Sequence, residues 1–253
     1  MDFVLKEEHG FSYIDEGEGE VLLLLHGLMG ALSNWDKVIE DFRGQYRVII
    51  PILPIYDLPL LTTGVKTLSK FVHKFVTYKQ LKDVTLLGNS LGGHVALIYV
   101  LSHPSVVKAM VLTGSSGLYE NAFGGTFPRR GSYDFVKEKV EYTFYAPETA
   151  TKELVDDVYR IVNDRHSVIR ILAMAKSAIR HNMKKDLRYI NIPVSLIWGK
   201  DDKITPPEVA VEFHEELPDS ELHWIDQCGH APMMEQPVEF NRILKGFLEK
   251  IKV

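Results

Sequence analysis

The chain has 253 residues, 45% of them apolar and 25% charged, with a formal net charge of −5. That is the composition of an ordinary soluble globular protein, long enough to bury a core without staples. The acidic balance and the lack of any Lys/Arg-rich run exclude an electrostatic footprint for nucleic acid, and the single cysteine, Cys228, excludes an intrachain disulfide.

In chain order, "FVLKEEHGFSYIDEG" predicts two short strands joined at His9-Gly10. Strand-like apolar runs then recur: "VLLLLHG" at 21–27, "YRVIIP" at 46–51, "VTLLG" at 84–88, "AMVLTG" at 109–114, "VSLIWG" at 194–199 and "ELHWID" at 221–226. Runs without polar alternation are those of strands buried on both faces, as in parallel sheets. Helical patterns fall between them, over 65–80, 91–102 and 233–252. The alternation predicts an α/β fold with a mostly parallel sheet and right-handed crossovers. "MDFVLKEEHG" has neither a basic segment nor a long apolar stretch, and the run at 21–25 is too short to span a bilayer. The expectation is a cytoplasmic chain without a membrane span.

The rhythm breaks between about 115 and 187, where only helical patterns occur. Ligands of open α/β sheets bind at the carboxyl edge of the strands. The segment therefore predicts a helical lid (115–187) inserted into a core domain made of 1–114 and 188–253. Residues 120–159 hold eight aromatics: Phe123, Phe127, Tyr133, Phe135, Tyr142, Phe144, Tyr145 and Tyr159. Most would pack the lid onto the core, and a few would line an apolar pocket.

Gly88-Asn89-Ser90-Leu91-Gly92 places a serine at a corner between strand and helix. Side chains at 88 and 92 would collide with neighbouring backbone, while the helix N-terminus offers free N–H groups beside the hydroxyl. Serine needs a base to act as a nucleophile. "CGHAPMMEQP" supplies His230, and "IWGKDDKITPP" supplies Asp201 and Asp202.

The order Ser90, Asp202, His230 resembles that of the α/β-hydrolase superfamily, and nearly the whole chain shares the likeness. It rests on "HGLMG" (26–30), "GNSLGGH", "WGKDDKITP" and "GHAPMMEQP", each closing a predicted strand. The resemblance implies Ser90 as nucleophile, His230 as base and Asp202 as its partner, Asp201 being left as a solvated loop residue. It also implies an oxyanion hole from the backbone N–H groups of Leu28 and Leu91. His26 would brace that loop. His94 and Cys228 read as packing residues, and Asp226 as a turn or capping residue. The remaining histidines are scattered, so neither metal nor cofactor is expected. Asn89 and Arg130 are candidate substrate contacts.

The serine separates the chain from the dehalogenase and epoxide-hydrolase branches, which carry aspartate at the corner. "GNS(L/M)GG" looks like the meta-cleavage-product hydrolases, which break carbon–carbon bonds. Those usually carry tryptophan after the catalytic histidine, where this chain has Ala231. "PILPIYDLP" also departs from the turn many relatives share. The default expectation is hydrolysis of a small to medium, partly apolar carboxylic ester. A C–C hydrolase is the alternative, and a slow-turnover small-molecule receptor on the same scaffold is the alternative from another class. Thioesterases, amidases and acyltransferases share such a site. Oligomeric state is not legible.

Overall fold

The structure, a computed structural model, describes residues 3–29, 35–120 and 129–252. Phe123, Phe127 and the last glycine of "HGLMG" lie outside them. Eight strands make one sheet: β1 (Lys6–Glu8), β2 (Phe11–Glu16), β3 (Glu20–Leu25), β4 (Tyr46–Pro51), β5 (Val84–Asn89), β6 (Val107–Thr113), β7 (Val194–Gly199) and β8 (Ser220–Ile225). Their spatial order is β1-β2-β4-β3-β5-β6-β7-β8. The β1–β2 and β2–β4 pairs are antiparallel, and every other pair is parallel. Every strand-like run of the sequence is thus a strand, and the His9-Gly10 turn is made by two residues of positive φ.

Side chains alternate across this sheet, and both faces are covered. Leu23, Leu25 and Leu86 join one core cluster, while Leu22, Leu24 and Leu87 join the other. That is why β3 and β5 read as unbroken apolar runs. Helices fill in around the sheet: α1 (Asp36–Phe42), α2 (Val65–Tyr78) and α3 (Leu91–Ser102) come early in the chain. The central α3 is buried on all sides from Leu91 to Val100, so it has no amphipathic face to show.

Between β6 and β7 come α4 (Tyr133–Glu141), α5 (Lys152–Asn163), α6 (Arg165–Arg180) and α7 (Lys184–Leu187), and no strand is found among the described residues there. Ser132, Thr151 and Asp164 cap the first three with side-chain oxygens. Apolar residues of α4 and α5 (Val136, Val140, Val155, Val158) extend the core on one face of the sheet, and Met174 and Ala178 of α6 extend the core on the other. The chain closes with α8 (Pro207–Glu216), α9 (Pro232–Glu235) and α10 (Pro237–Lys250). The helix read over 233–252 is two helices, broken where Pro237 follows Gln236, whose backbone is non-helical. No helix among the described residues is long and apolar enough to cross a membrane.

Candidate active site

Ser90 stands between the last residue of β5 and the first of α3, with φ 54° and ψ −120°. Left-handed φ is costly for a side-chain-bearing residue and persists only where the surroundings enforce it. Here they do so through two close approaches. A Cβ on Gly92 would lie 2.1 Å from the Leu25 carbonyl oxygen of β3, and one on Gly88 would lie 2.5 Å from Cα of Gly93 in α3. The Ser90 carbonyl is occupied too, accepting from the backbone N–H groups of Gly93 and Ser116 at 3.0 and 3.1 Å.

His230 follows β8 on a turn held from three sides. Its backbone N–H donates to the Thr143 carbonyl at 3.0 Å. The Glu235 carboxylate accepts from Gly229 N–H at 2.8 Å and from Tyr145 N–H at 2.7 Å. Asn89 uses its side-chain amide to hold the carbonyls of Thr113 and His230, at 3.1 and 3.2 Å. On the ring, Nδ1 donates to Asp202 Oδ2 at 2.9 Å, which leaves Nε2 as the acceptor nitrogen. Asp202 is itself buried and fixed. Its Oδ1 accepts from the N–H groups of Ile204 (2.8 Å) and Thr205 (3.0 Å), and its Oδ2 from the Thr205 hydroxyl at 2.8 Å. Of the two adjacent acids, it is Asp202 that meets the imidazole. Asp226, by contrast, is exposed and paired with Lys200.

Burial is the largest influence on the His230 pKa and pulls it down. The charge and hydrogen bond of Asp202, with Glu120 and Glu235 behind them, outweigh it, and the net direction is upward. His94 behaves oppositely. It is fully buried, its Nε2 lies 3.1 Å from His181 Nδ1, and desolvation drives its pKa down to about 3. It stays neutral and packs. Cys228 is likewise buried, and burial pushes its thiol pKa up.

The turn after β3 is braced by the segment that departs from the family pattern. His26 Nδ1 donates to the Gly27 carbonyl and its Nε2 accepts from Leu53 N–H, both at 2.9 Å. The Tyr56 hydroxyl donates to the Leu28 carbonyl at 2.8 Å. "PILPIYDLP" therefore supports the Leu28 peptide from behind. Tyr56 was not among the sequence candidates, because its role depends on a contact 28 residues away in the chain.

A cavity of about 240 Å³ opens over this corner, lined by Ser90 and His230 together with Leu28, Leu91 and Asn89. Its upper wall comes from α4, α5 and α6 and is largely aliphatic, with Val140, Leu154, Val158 and Ile171 among the contributors. The expected aromatic lining is corrected to a single ring, Phe144, among the described residues. Tyr142 and Tyr145 are exposed, while Tyr133 and Tyr159 pack on each other. Arg130, the other candidate substrate contact, stands apart from the described lining. It is exposed on the turn before α4, its carbonyl accepts from Asn163, and it does not line the cavity. The Asn89 amide N–H groups are both directed to backbone, so this residue holds the histidine turn as well as facing the cavity. Glu120, which no sequence pattern marked, does line it. Among the described residues no group of His, Cys, Asp and Glu could hold a metal ion.

Comparison with known proteins agrees with this architecture. The family model described as "alpha/beta hydrolase fold" matches residues 20–188. The crystal structure of MGS-MChE2, an alpha/beta hydrolase enzyme from a metagenome of sediments of the Mar Chica lagoon, Morocco, is 45% identical with a TM-score of 0.82. The match covers 99% of this chain and 100% of that one. The 2-hydroxy-6-oxo-6-(2'-aminophenyl)hexa-2,4-dienoic acid hydrolase of Metapseudomonas resinovorans is 28% identical, over 94% of this chain and 87% of its own length. A 2-hydroxy-6-oxononadienedioate/2-hydroxy-6-oxononatrienedioate hydrolase of a Pseudomonas species is 26% identical, over 93% and 90%.

Proposed function

The chain belongs to the α/β-hydrolase fold family, and from that premise we propose that it is a serine hydrolase of small to medium carboxylic esters, acting through Ser90, His230 and Asp202. The observation that carries the reading is the strained Ser90 backbone, lining a cavity shared with an imidazole whose Nδ1–H is held by a buried carboxylate. His230 Nε2 takes the Ser90 proton as Oγ attacks the ester carbonyl. The oxyanion of the tetrahedral intermediate lies against the N–H groups of Leu28 and Leu91, each worth about 3 kcal/mol of transition-state stabilisation. Collapse expels the alcohol, protonated by His230, and leaves an acyl group on Oγ. Water, deprotonated by His230, then attacks the acyl carbon; the C–Oγ bond breaks, the acid leaves, and His230 returns the proton to Ser90 Oγ. The helices between β6 and β7, within the span 115–187, serve as the lid that shapes the acyl site.

The second reading, C–C bond hydrolysis, is favoured by relatives whose names specify dienoate and dienedioate substrates. Those substrates carry carboxylates. A carboxylate taken into an apolar cavity needs a cation or donors beside it. Here the cavity places Glu120 inside, and the one cation among its described lining residues is Lys176, which is exposed and also borders a neighbouring surface groove. Ala231 stands beside His230 where the C–C enzymes usually carry tryptophan. These features favour the ester.

The test is steady-state hydrolysis of p-nitrophenyl esters from acetate to decanoate, beside one vinylogous diketone and a Ser90→Ala control. Ser90-dependent ester turnover supports the reading, with the chain-length optimum sizing the cavity. Fast diketone cleavage with weak ester activity replaces it by the C–C reading. A burst without sustained turnover makes the protein a receptor.

A further inference from the structure

Glu120 is a carboxylate that the proposed chemistry does not use. It lies seven residues beyond β6, on a stretch fixed at several points. Ser116 N–H donates to the Ser90 carbonyl, Met183 N–H donates to the Gly117 carbonyl at 2.7 Å, and the Asn182 amide reaches the Leu118 carbonyl at 3.4 Å. Gly117, with φ 121°, makes the turn that a side-chain-bearing residue would resist. The carboxylate is thereby delivered into the same cavity as Ser90 and His230, partly buried among aliphatic walls. Among the described residues it accepts no hydrogen bond and joins no ion pair, and Lys176 does not pair with it. Among the described residues, the charged group that acts on it is the imidazole of His230.

A half-buried carboxylate with no partner among the described residues becomes costly when an entering ligand strips its remaining water, unless that ligand answers its charge. Burial raises its pKa, His230 offsets part of that, and a bound cation would favour its charged form further. The walls narrow the kind of cation. A primary ammonium brings three N–H donors, and the cavity offers few acceptors beyond Glu120 to receive them. An alkylated ammonium carries its charge inside an apolar shell and has no unmet donors. It suits one carboxylate set in aliphatic surroundings.

Resting on the serine-esterase reading, we propose that Glu120 is the specificity determinant of this cavity and selects esters whose acyl or alcohol arm ends in an alkylated ammonium group. The plainer role for the residue, electrostatic support of His230, predicts something different. A carboxylate serving only the imidazole affects all substrates in the same proportion when it is replaced.

Two matched pairs separate these roles. The first pair is choline and 3,3-dimethylbutan-1-ol, which have the same shape and differ in charge, titrated calorimetrically against the wild-type chain. The second is their butyrate esters, compared by kcat/KM in wild type and in Glu120→Gln. Choline is expected to bind at least about tenfold more tightly than the neutral alcohol, the scale of one charge-assisted contact. The cationic ester is expected to be favoured by a similar ratio, falling towards one in Glu120→Gln. Equal binding of the two alcohols, binding of neither, or an ester ratio untouched by the substitution overturns the assignment. If choline is preferred while neither ester is turned over, the esterase reading fails and the assignment of Glu120 stands. The binding arm needs no variant, so a misfolded Glu120→Gln does not remove the test.

Discussion

The floor and the roof of the cavity are built differently. The floor is the carboxyl edge of the sheet. There Asp202, Thr205 and His230 are buried and Ser90 half-buried, the Asp202 carboxylate and His230 Nδ1 have defined partners, and backbone approaches of 2.1–2.5 Å to a built Cβ leave room for glycine alone. The roof is α4 to α6, amphipathic helices whose apolar faces continue the two cores and whose lining is aliphatic. Hydrogen bonds fix directions to within tenths of an ångström, whereas aliphatic packing fixes mainly volume. On this account the floor carries the reaction, and the roof together with Glu120 carries the choice of substrate. The two are tied where Thr143 and Tyr145, just after α4, meet His230 and Glu235 of the floor.

Substitutions on the floor should then affect rate, and those in the roof preference. The largest effect is expected for Ser90→Ala, which should lower kcat by roughly 10⁶-fold, with circular dichroism and thermal melting close to wild type. Retention of more than a hundredth of the activity on any ester would break the contrast.

Asp202→Asn comes next, with a fall of roughly 10³–10⁴-fold in kcat as the imidazole loses its orienting acceptor. It has a second readout. His230 acts as a base only when neutral, so kcat/KM falls as pH drops through its pKa, which lies above the ordinary 6.5. Removing the Asp202 charge lowers that pKa, and the acid limb of the profile should move to lower pH even as its plateau drops. A limb that stays in place would mean that Asp202 does not govern the imidazole.

Tyr56→Phe is smaller. It removes the hydroxyl that holds the Leu28 carbonyl and should cost roughly three- to tenfold in kcat with KM little changed. A change in KM alone would move Tyr56 from the floor to the roof. The smallest effect is expected for Ile171→Val, a buried cavity-lining position of α6. Stability should drop by about 1 kcal/mol, and the preferred acyl chain should lengthen with a change of only a few-fold in kcat/KM.

The same contrast explains what could be read from the sequence. Strands buried on both faces announce themselves as apolar runs, and the first two strands were legible from the turn that joins them; so was the serine corner, whose glycines are required by contacts within a few residues of chain and one neighbouring strand. Asp202 was chosen over Asp201 by the resemblance, which implies the aspartate three residues after Gly199. The roof was legible only as helices. Helical periodicity shows which side of α5 is apolar, but Val155 faces the core and Leu154 the cavity, and one apolar stripe serves both. Arg130 looked available for a substrate because a charge in a helical segment carries no sign of its direction. Glu120 and Tyr56 were invisible for a related reason. Each is placed across the fold, Glu120 in the cavity with His230 and Tyr56 on the Leu28 carbonyl, and neither sits in a pattern that repeats.

The most direct test of the central claim is a rapid acid quench of the chain during turnover of p-nitrophenyl butyrate, followed by proteolysis and mass spectrometry. A single butyryl group on the peptide carrying Ser90, absent from Ser90→Ala, is the result this account predicts. Turnover that leaves no acyl group on Ser90, or places it on another residue, would contradict it.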